Sequence, residues 1–223
     1  METLRHLAAV EGLAICGAFH PKPGDGVPPL PGGDPAATLA LLGLLAEGWA
    51  VFAASPEAGD GASDPLDRWS RRVVGTLAVA LGAAPLFPFG GPPFLPFQRW
   101  AQRAGPFHPS PIGMLIHPDW GLWQGYRGAL AFASRLDLPL PDRRPSPCES
   151  CAGKPCLTAC PVGAFTPGRY DVAACAAHVA SPTGSDCADL GCRARRACPV
   201  GAAHRYAPPQ AAFHMRAFLA GRR

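Results

Sequence analysis

Eight of the chain's nine cysteines fall between Cys148 and Cys198. They stand as Cys148-x2-Cys151-x4-Cys156-x3-Cys160-Pro161 and, after an isolated Cys175, as Cys187-x4-Cys192-x5-Cys198-Pro199. Cys160 and Cys198 each open the same pentapeptide, Cys-Pro-Val-Gly-Ala. The first residues, 1–19, hold an apolar stretch, but Glu11 interrupts it and no twin-arginine or small-residue cleavage site follows. No run approaches the roughly 18 apolar residues of a membrane span. The expectation is a cytoplasmic chain with no membrane partner. Thiols stay reduced in that compartment, so clustered cysteines there mean metal rather than disulfides.

Closely spaced cysteines on tight turns can face one iron–sulfur cubane at low ordering cost. In two-cluster ferredoxins the cysteine that precedes proline serves the other cluster. Applied here, Cys148, Cys151, Cys156 and Cys198 hold one [4Fe–4S] cluster, and Cys160, Cys175, Cys187 and Cys192 hold the second. Every cysteine of the region is then used once, and the crossover ties the two halves together. The spacing departs from the bacterial Cys-x2-Cys-x2-Cys-x3-Cys-Pro rule: the middle gap is Ala152-Gly153-Lys154-Pro155. Two structural zinc sites, or one cluster with spare thiols, are the alternatives. The repeated pentapeptide argues against zinc, because zinc ribbons favour paired Cys-x2-Cys knuckles and only Cys148/Cys151 is one. Cys16, far upstream, reads as a buried inert thiol.

Gly (26) and Pro (28) are abundant, a composition that borders on disorder, yet 48% of residues are hydrophobic and 16% charged, so a packed core is possible. The formal charge of +4 hints at nucleic acid. Two clusters with their thiolates would bring four negative charges and take the loaded protein to near neutrality, with Arg193, Arg195, Arg196 and Arg205 close by to offset them. Nucleic acid is therefore not expected as a partner.

Asp64-Pro65 opens a helix over 66–81, where Leu66, Trp69, Val73, Val74, Leu77 and Leu81 recur at helical spacing. Asp34-Pro35 is a similar start signal, but 38–45 is almost wholly apolar and reads equally as a buried strand. Residues 87–97 form an aromatic, Pro-rich connection and 98–104 a short helix. Residues 112–117 and 126–133 read as strands, 138–147 as a linker, and 211–219 as a last helix. The fold class is α+β, with an N-terminal domain over 1–140 and a cysteine domain over 141–223.

Arg127-Gly-Ala-Leu-Ala-Phe-Ala-Ser-Arg-Leu-Asp-Leu-Pro-Leu-Pro141, followed by the cysteine order, resembles epoxyqueuosine reductase and its relative, reductive dehalogenase. In those proteins a strand of a cobalamin-binding domain leads into a bacterial dicluster ferredoxin-like module. Ile116-His-Pro-Asp-Trp-Gly-Leu-Trp-Gln-Gly-Tyr-Arg-Gly128, with Leu30-Pro-Gly32 and the apolar run 38–45, resembles the cblC-type cobalamin-processing protein. That resemblance implies a flavin-reductase-type α+β domain that cups cobalamin. It also implies His117, Trp120, Trp123 and Arg127 as cofactor-binding residues, with Arg127 matching an arginine implicated in thiol binding. On the residues alone, His117 or Asp119 capping a turn, the two tryptophans packing a core, and Arg127 in an ion pair are the competing readings.

The catalytic residues stay open. The activity expected is an iron–sulfur oxidoreductase that takes electrons from an external donor (a flavodoxin, ferredoxin or reductase). It passes them singly through two [4Fe–4S] clusters to a corrinoid, for its reduction or dealkylation. An electron carrier whose N-terminal domain docks a partner, and a tRNA-modifying reductase related to epoxyqueuosine reductase, are the alternatives.

Overall fold

A computed structural model describes residues 1–166 and 168–221. It mixes helices and strands in two compact units. The first comprises Met1–Pro106 and Gln124–Arg143; the second comprises Phe107–Trp123 and the residues from Arg144 on.

The first unit is built on a four-stranded antiparallel sheet in the order Ala14–Phe19, Thr38–Leu44, Gly125–Phe132, Ala83–Leu86. Thr38–Leu44 is buried at all seven positions. That decides between the two readings of 38–45: a run covered on both faces needs no polar alternation, and it is a central strand. The helix Pro65–Leu81 lays Leu66, Trp69, Val73, Val74 and Leu77 into the core, the stripe its periodicity predicts. Its packing on the sheet is close, for a Cβ on Gly128 would sit 2.9 Å from Val74 Cγ1. Thr38 Oγ1 is buried and satisfied, donating to Ser134 O and accepting from the Leu136 amide, both at 2.9 Å. The helix Phe97–Ala104 buries Trp100, whose indole N–H donates to Asp25 O at 2.8 Å and pins the Pro/Gly-rich loop that follows the first strand. An N-terminal helix, Glu2–Val10, lies where the sequence offered only an apolar stretch.

In the second unit short helices carry or flank the cysteines: Pro147–Ser150, Pro155–Thr158, Val172–Val179, Ser185–Leu190 and Arg193–Arg196. Proline opens the first two, where its missing N–H costs nothing. The last helix, Pro208–Ala220, packs on Ser185–Leu190.

The sequence reading puts residues 107–123 with the N-terminal domain and the boundary at 140/141. The structure moves that segment into the cysteine unit and places the last crossing at 143/144. Packing is the reason. Ile112, Ile116 and Leu122 share one buried cluster with Cys156, Phe165, Ala194 and Cys198. Of the strand expected at 112–117 only Leu115–Ile116 forms, paired with His108–Pro109. Pro111 and Gly113 spend the rest in a turn closed by the Gly113 amide on Ser110 O at 3.0 Å. Among the described residues no helix is long and apolar enough to cross a membrane.

Candidate functional site

The eight clustered cysteines are sorted four and four around two hollows in the second unit. Cys148, Cys151, Cys156 and Cys198 line one, with Pro111, Ile116, Pro155 and Val200 among their neighbours. Cys160, Cys175, Cys187 and Cys192 line the other, with Phe165, Val179 and Met215. Each holds about 300 Å³ not filled by protein atoms. Among the described residues no three His, Cys, Asp or Glu side chains converge as a single ion would require. The thiols ring a space rather than meet at a point. A ring of four soft donors in an apolar wall fits a cubane cluster better than one zinc ion.

Backbone geometry prepares these sulfurs to carry charge. The Ala164 amide donates to Cys160 Sγ at 3.3 Å. Amides of Ala194 and Arg195 face Cys192, and that of Val200 faces Cys198. Such donors come with the tight turn after each cysteine, which aims successive N–H groups inward. Burial acts the other way and pushes the thiols of Cys148, Cys156, Cys175, Cys192 and Cys198 up.

Lys154 accounts for the long middle gap of the first run. Its backbone is left-handed, at φ 35°, which turns the chain so that its ammonium donates to Cys148 O and Cys151 O at 3.2 and 3.3 Å. A second clamp holds the segment 107–123. Arg195 donates to Leu122 O through Nε (3.1 Å) and Nη2 (2.6 Å), with its guanidinium 4.4 Å from the ring centroids of both Trp123 and Tyr206. The other arginines of the second run pair locally: Arg196 and Arg193 with Asp186, and Arg205 with Cys198 O. The clamps made by Lys154 and Arg195 escaped the sequence reading, which gave Arg195 only a part in offsetting cluster charge. The longer gap was the only signal for the first. The partners of Arg195 lie too far along the chain to leave one.

His117, Trp120 and Trp123 belong to the cysteine unit and Arg127 to the other. His117 is 6% exposed; its Nδ1 accepts from the amides of Asp119 and Trp120 at 3.1 and 3.3 Å, and its ring stacks on Trp120 at 4.1 Å. Asp119 is held by a two-pronged pair with Arg144 at 2.7 and 2.6 Å. Trp123, 3% exposed, packs edge-on to Tyr206. Arg127 pairs with Asp67 at 3.2 Å and donates to Tyr126 O. These faces are spent on protein neighbours. None of the four residues lines either hollow. Cys16 is buried, with its thiol pushed up to about 12 by desolvation.

Fold and site together define a two-unit α+β protein in which one unit carries paired four-cysteine hollows. The fold is similar to that of epoxyqueuosine reductase. The structure of the Bacillus subtilis enzyme with its catalytic loop swung out of the active site superposes with a TM-score of 0.53 at 16% identity, over 94% of this chain and 68% of that one. A selenomethionine-labelled epoxyqueuosine reductase gives 0.51 at 16%, over the same shares. A third, bound to an epoxyqueuosine-modified tRNA-Tyr stem loop, gives 0.51 at 17%, over 92% and 66%. At this identity the likeness is one of fold. No family model and no curated protein matches the sequence. The tRNA complex overturns the expectation that nucleic acid is no partner: a protein of this fold holds RNA. The neutralised net charge on which that expectation rested says nothing of how charge is distributed over the surface.

Proposed function

We propose that this protein is an iron–sulfur reductase acting on a modified nucleoside of tRNA. One observation carries the reading: the cysteines divide four and four around two apolar hollows in a chain with the fold of epoxyqueuosine reductase. Cys148, Cys151, Cys156 and Cys198 would hold one [4Fe–4S] cluster, and Cys160, Cys175, Cys187 and Cys192 the other, in a dicluster ferredoxin-like domain. When bound, such clusters supply electrons one at a time. The chain's own residues supply the rest. Proline, valine and phenylalanine walls keep water from the hollows. Inward amides such as that of Ala164 favour the anionic sulfurs. Lys154 and Arg195 fix the turns on which the cysteines stand.

Anaerobic reconstitution tests the metal reading: about eight iron and eight sulfide per chain are expected, from two four-iron clusters. Cys192→Ala and Cys198→Ala should each damage a different cluster, so their electron paramagnetic resonance spectra after reduction should differ. Identical zinc binding with no sulfide retained would refute it. Incubating the reduced protein with an epoxyqueuosine-modified tRNA stem loop tests the substrate, with loss of the epoxide oxygen read by mass spectrometry. Binding of that RNA should weaken steeply with salt. The buried packing of Trp123 also fits a simple electron carrier. Intact clusters with no RNA affinity at low salt would favour that second reading.

A further inference from the structure

The cysteine unit carries a third cavity, an open groove with about 1030 Å³ not filled by protein atoms. Its walls come from the turn at 110–113, from Lys154 and Leu157, and from the strand Arg169–Tyr170. Three of these residues also touch the four-cysteine sites. Pro111 lines both the groove and the first hollow. Lys154 lines both the groove and the first hollow, and its ammonium rests on the carbonyls of Cys148 and Cys151. Tyr170 lines the groove and stacks on Phe165, with ring centroids 4.6 Å apart and planes 12° from parallel; Phe165 lines the second hollow. Tyr170 also lies beside Cys175 of the second hollow. Lys154 borders the first hollow directly, and Tyr170 reaches the second through Phe165.

The groove is also one-signed. Among the described residues no carboxylate lines it. Arg169 is exposed, and its guanidinium makes no ion pair among the described residues. Beside it stand Lys154 and the exposed edge of Tyr170. A positive, aromatic-edged opening that abuts both hollows suits a negatively charged partner whose electron must reach either of them.

We propose that this groove is the docking site of an acidic one-electron carrier protein that reduces the cysteine unit. The inference rests on reading the hollows as iron–sulfur sites. In each transfer the carrier's reduced cofactor gives up one electron and one cluster of this protein accepts it. No bond forms or breaks, so no proton acceptor is needed at the contact. Arg169 and Lys154 steer the acidic face of the carrier into register.

The test uses the full chain with reconstituted clusters, mixed anaerobically with flavodoxin hydroquinone in a stopped-flow instrument while the cluster absorbance bleaches. Arg169→Glu should slow the second-order rate by about tenfold or more at low salt and flatten its salt dependence. Arg216→Glu reverses the same charge at an exposed position of the last helix, outside the groove, and should stay within about twofold of the parent, as a rim charge away from a contact does. Dithionite should bleach all three proteins equally. Absence of dithionite bleaching would sink the iron–sulfur reading itself rather than the docking site. Equal flavodoxin rates for the two variants, or no flavodoxin reduction of the parent protein, overturns the docking site. So does an Arg169→Glu protein that loses affinity for a tRNA stem loop while its flavodoxin rate is unchanged, since the groove is then an RNA contact.

Discussion

Replacing Gly201 by alanine should damage the cysteine unit far more than the same change at Gly163, although both glycines hold the same place in Cys-Pro-Val-Gly-Ala. Both are left-handed, with φ of 67° and 58°. Alanine pays about 1–2 kcal/mol for that conformation at either site. The surroundings differ. A Cβ on Gly163 meets nothing within 4 Å, whereas one on Gly201 would sit 2.3 Å from the Trp120 carbonyl carbon and 2.5 Å from the Gly121 nitrogen. Those are backbone atoms and cannot rotate aside. The contact is mutual, for a Cβ on Gly121 would lie 2.1 Å from Val200 O. Overpacking of this kind adds about 1–3 kcal/mol. Gly163→Ala should therefore cost about 1–2 kcal/mol and Gly201→Ala about 2–5 kcal/mol. Thermal melts of the two variants, followed by tryptophan fluorescence, measure the gap. For a unit of this size each kcal/mol lowers the melting temperature by about 4–8 °C. Because Ile116 and Val200, close in sequence to the two touching turns, line the first hollow, Gly201→Ala should also deplete iron from the first hollow before the second. Equal melting shifts, or a larger one at Gly163, would refute the close approach of the two turns.

Gly43→Ala should cost about 1–3 kcal/mol in urea unfolding, because its Cβ would lie 2.4 Å from Cys16 Sγ. Cys16→Ala in the same chain should recover most of that loss, and a double-mutant cycle reads the coupling. With its thiol held up to about 12, Cys16 should resist iodoacetamide at pH 8 until the protein unfolds; labelling of the native fold, read by mass spectrometry, would contradict its burial. Arg195→Lys keeps the charge but loses the forked contact to Leu122 O and the stacking between Trp123 and Tyr206. It should destabilise the cysteine unit by about 1–3 kcal/mol, and a melt indistinguishable from the parent would count against the clamp. Arg72, hydrogen-bonded to Glu57 at 2.6 and 2.9 Å, holds that carboxyl down to about 2. A depressed carboxylate stabilises the fold above its unfolded value of about 4.3 and loses that contribution as pH falls through the folded one. Arg72 is half exposed, so Arg72→Gln should cost under about 1 kcal/mol at neutral pH. The difference should shrink only below about pH 4.3. A difference that instead closes on the alkaline side would reverse the sign.

What could be read in the sequence follows from the range of each interaction. The helix Pro65–Leu81 announces itself because its apolar stripe is local. Thr38–Leu44 stays ambiguous because a strand buried on both faces has no period to show. The four-and-four grouping drawn from cysteine spacing coincides with the grouping around the hollows, since proline after Cys160 and Cys198 marks the turns that send each to the other set. His117, Trp120 and Trp123 were legible as a constellation but not as to what they face. The partners of that segment, Arg195, Val200, Gly201 and Tyr206, lie far along the chain, and no local pattern encodes a contact at that separation. The nucleic-acid expectation failed for a different reason, because a net charge is a sum and a binding surface is a distribution.

The chain's path between its two units limits how the molecule can be taken apart. It leaves the first unit at Pro106, returns at Gln124 and leaves again after Arg143. Neither unit is therefore a continuous stretch of gene. A fragment beginning at residue 141 would carry all eight clustered cysteines yet lack Ile112, Ile116 and Leu122, three of the apolar residues against which they pack. A fragment ending at residue 140 would present those same residues with nothing to cover them. Evolutionary shuffling faces the same obstacle as the cloner: the cysteine unit cannot be moved to another protein by a single cut, only by carrying along a loop that the sheet unit surrounds in sequence.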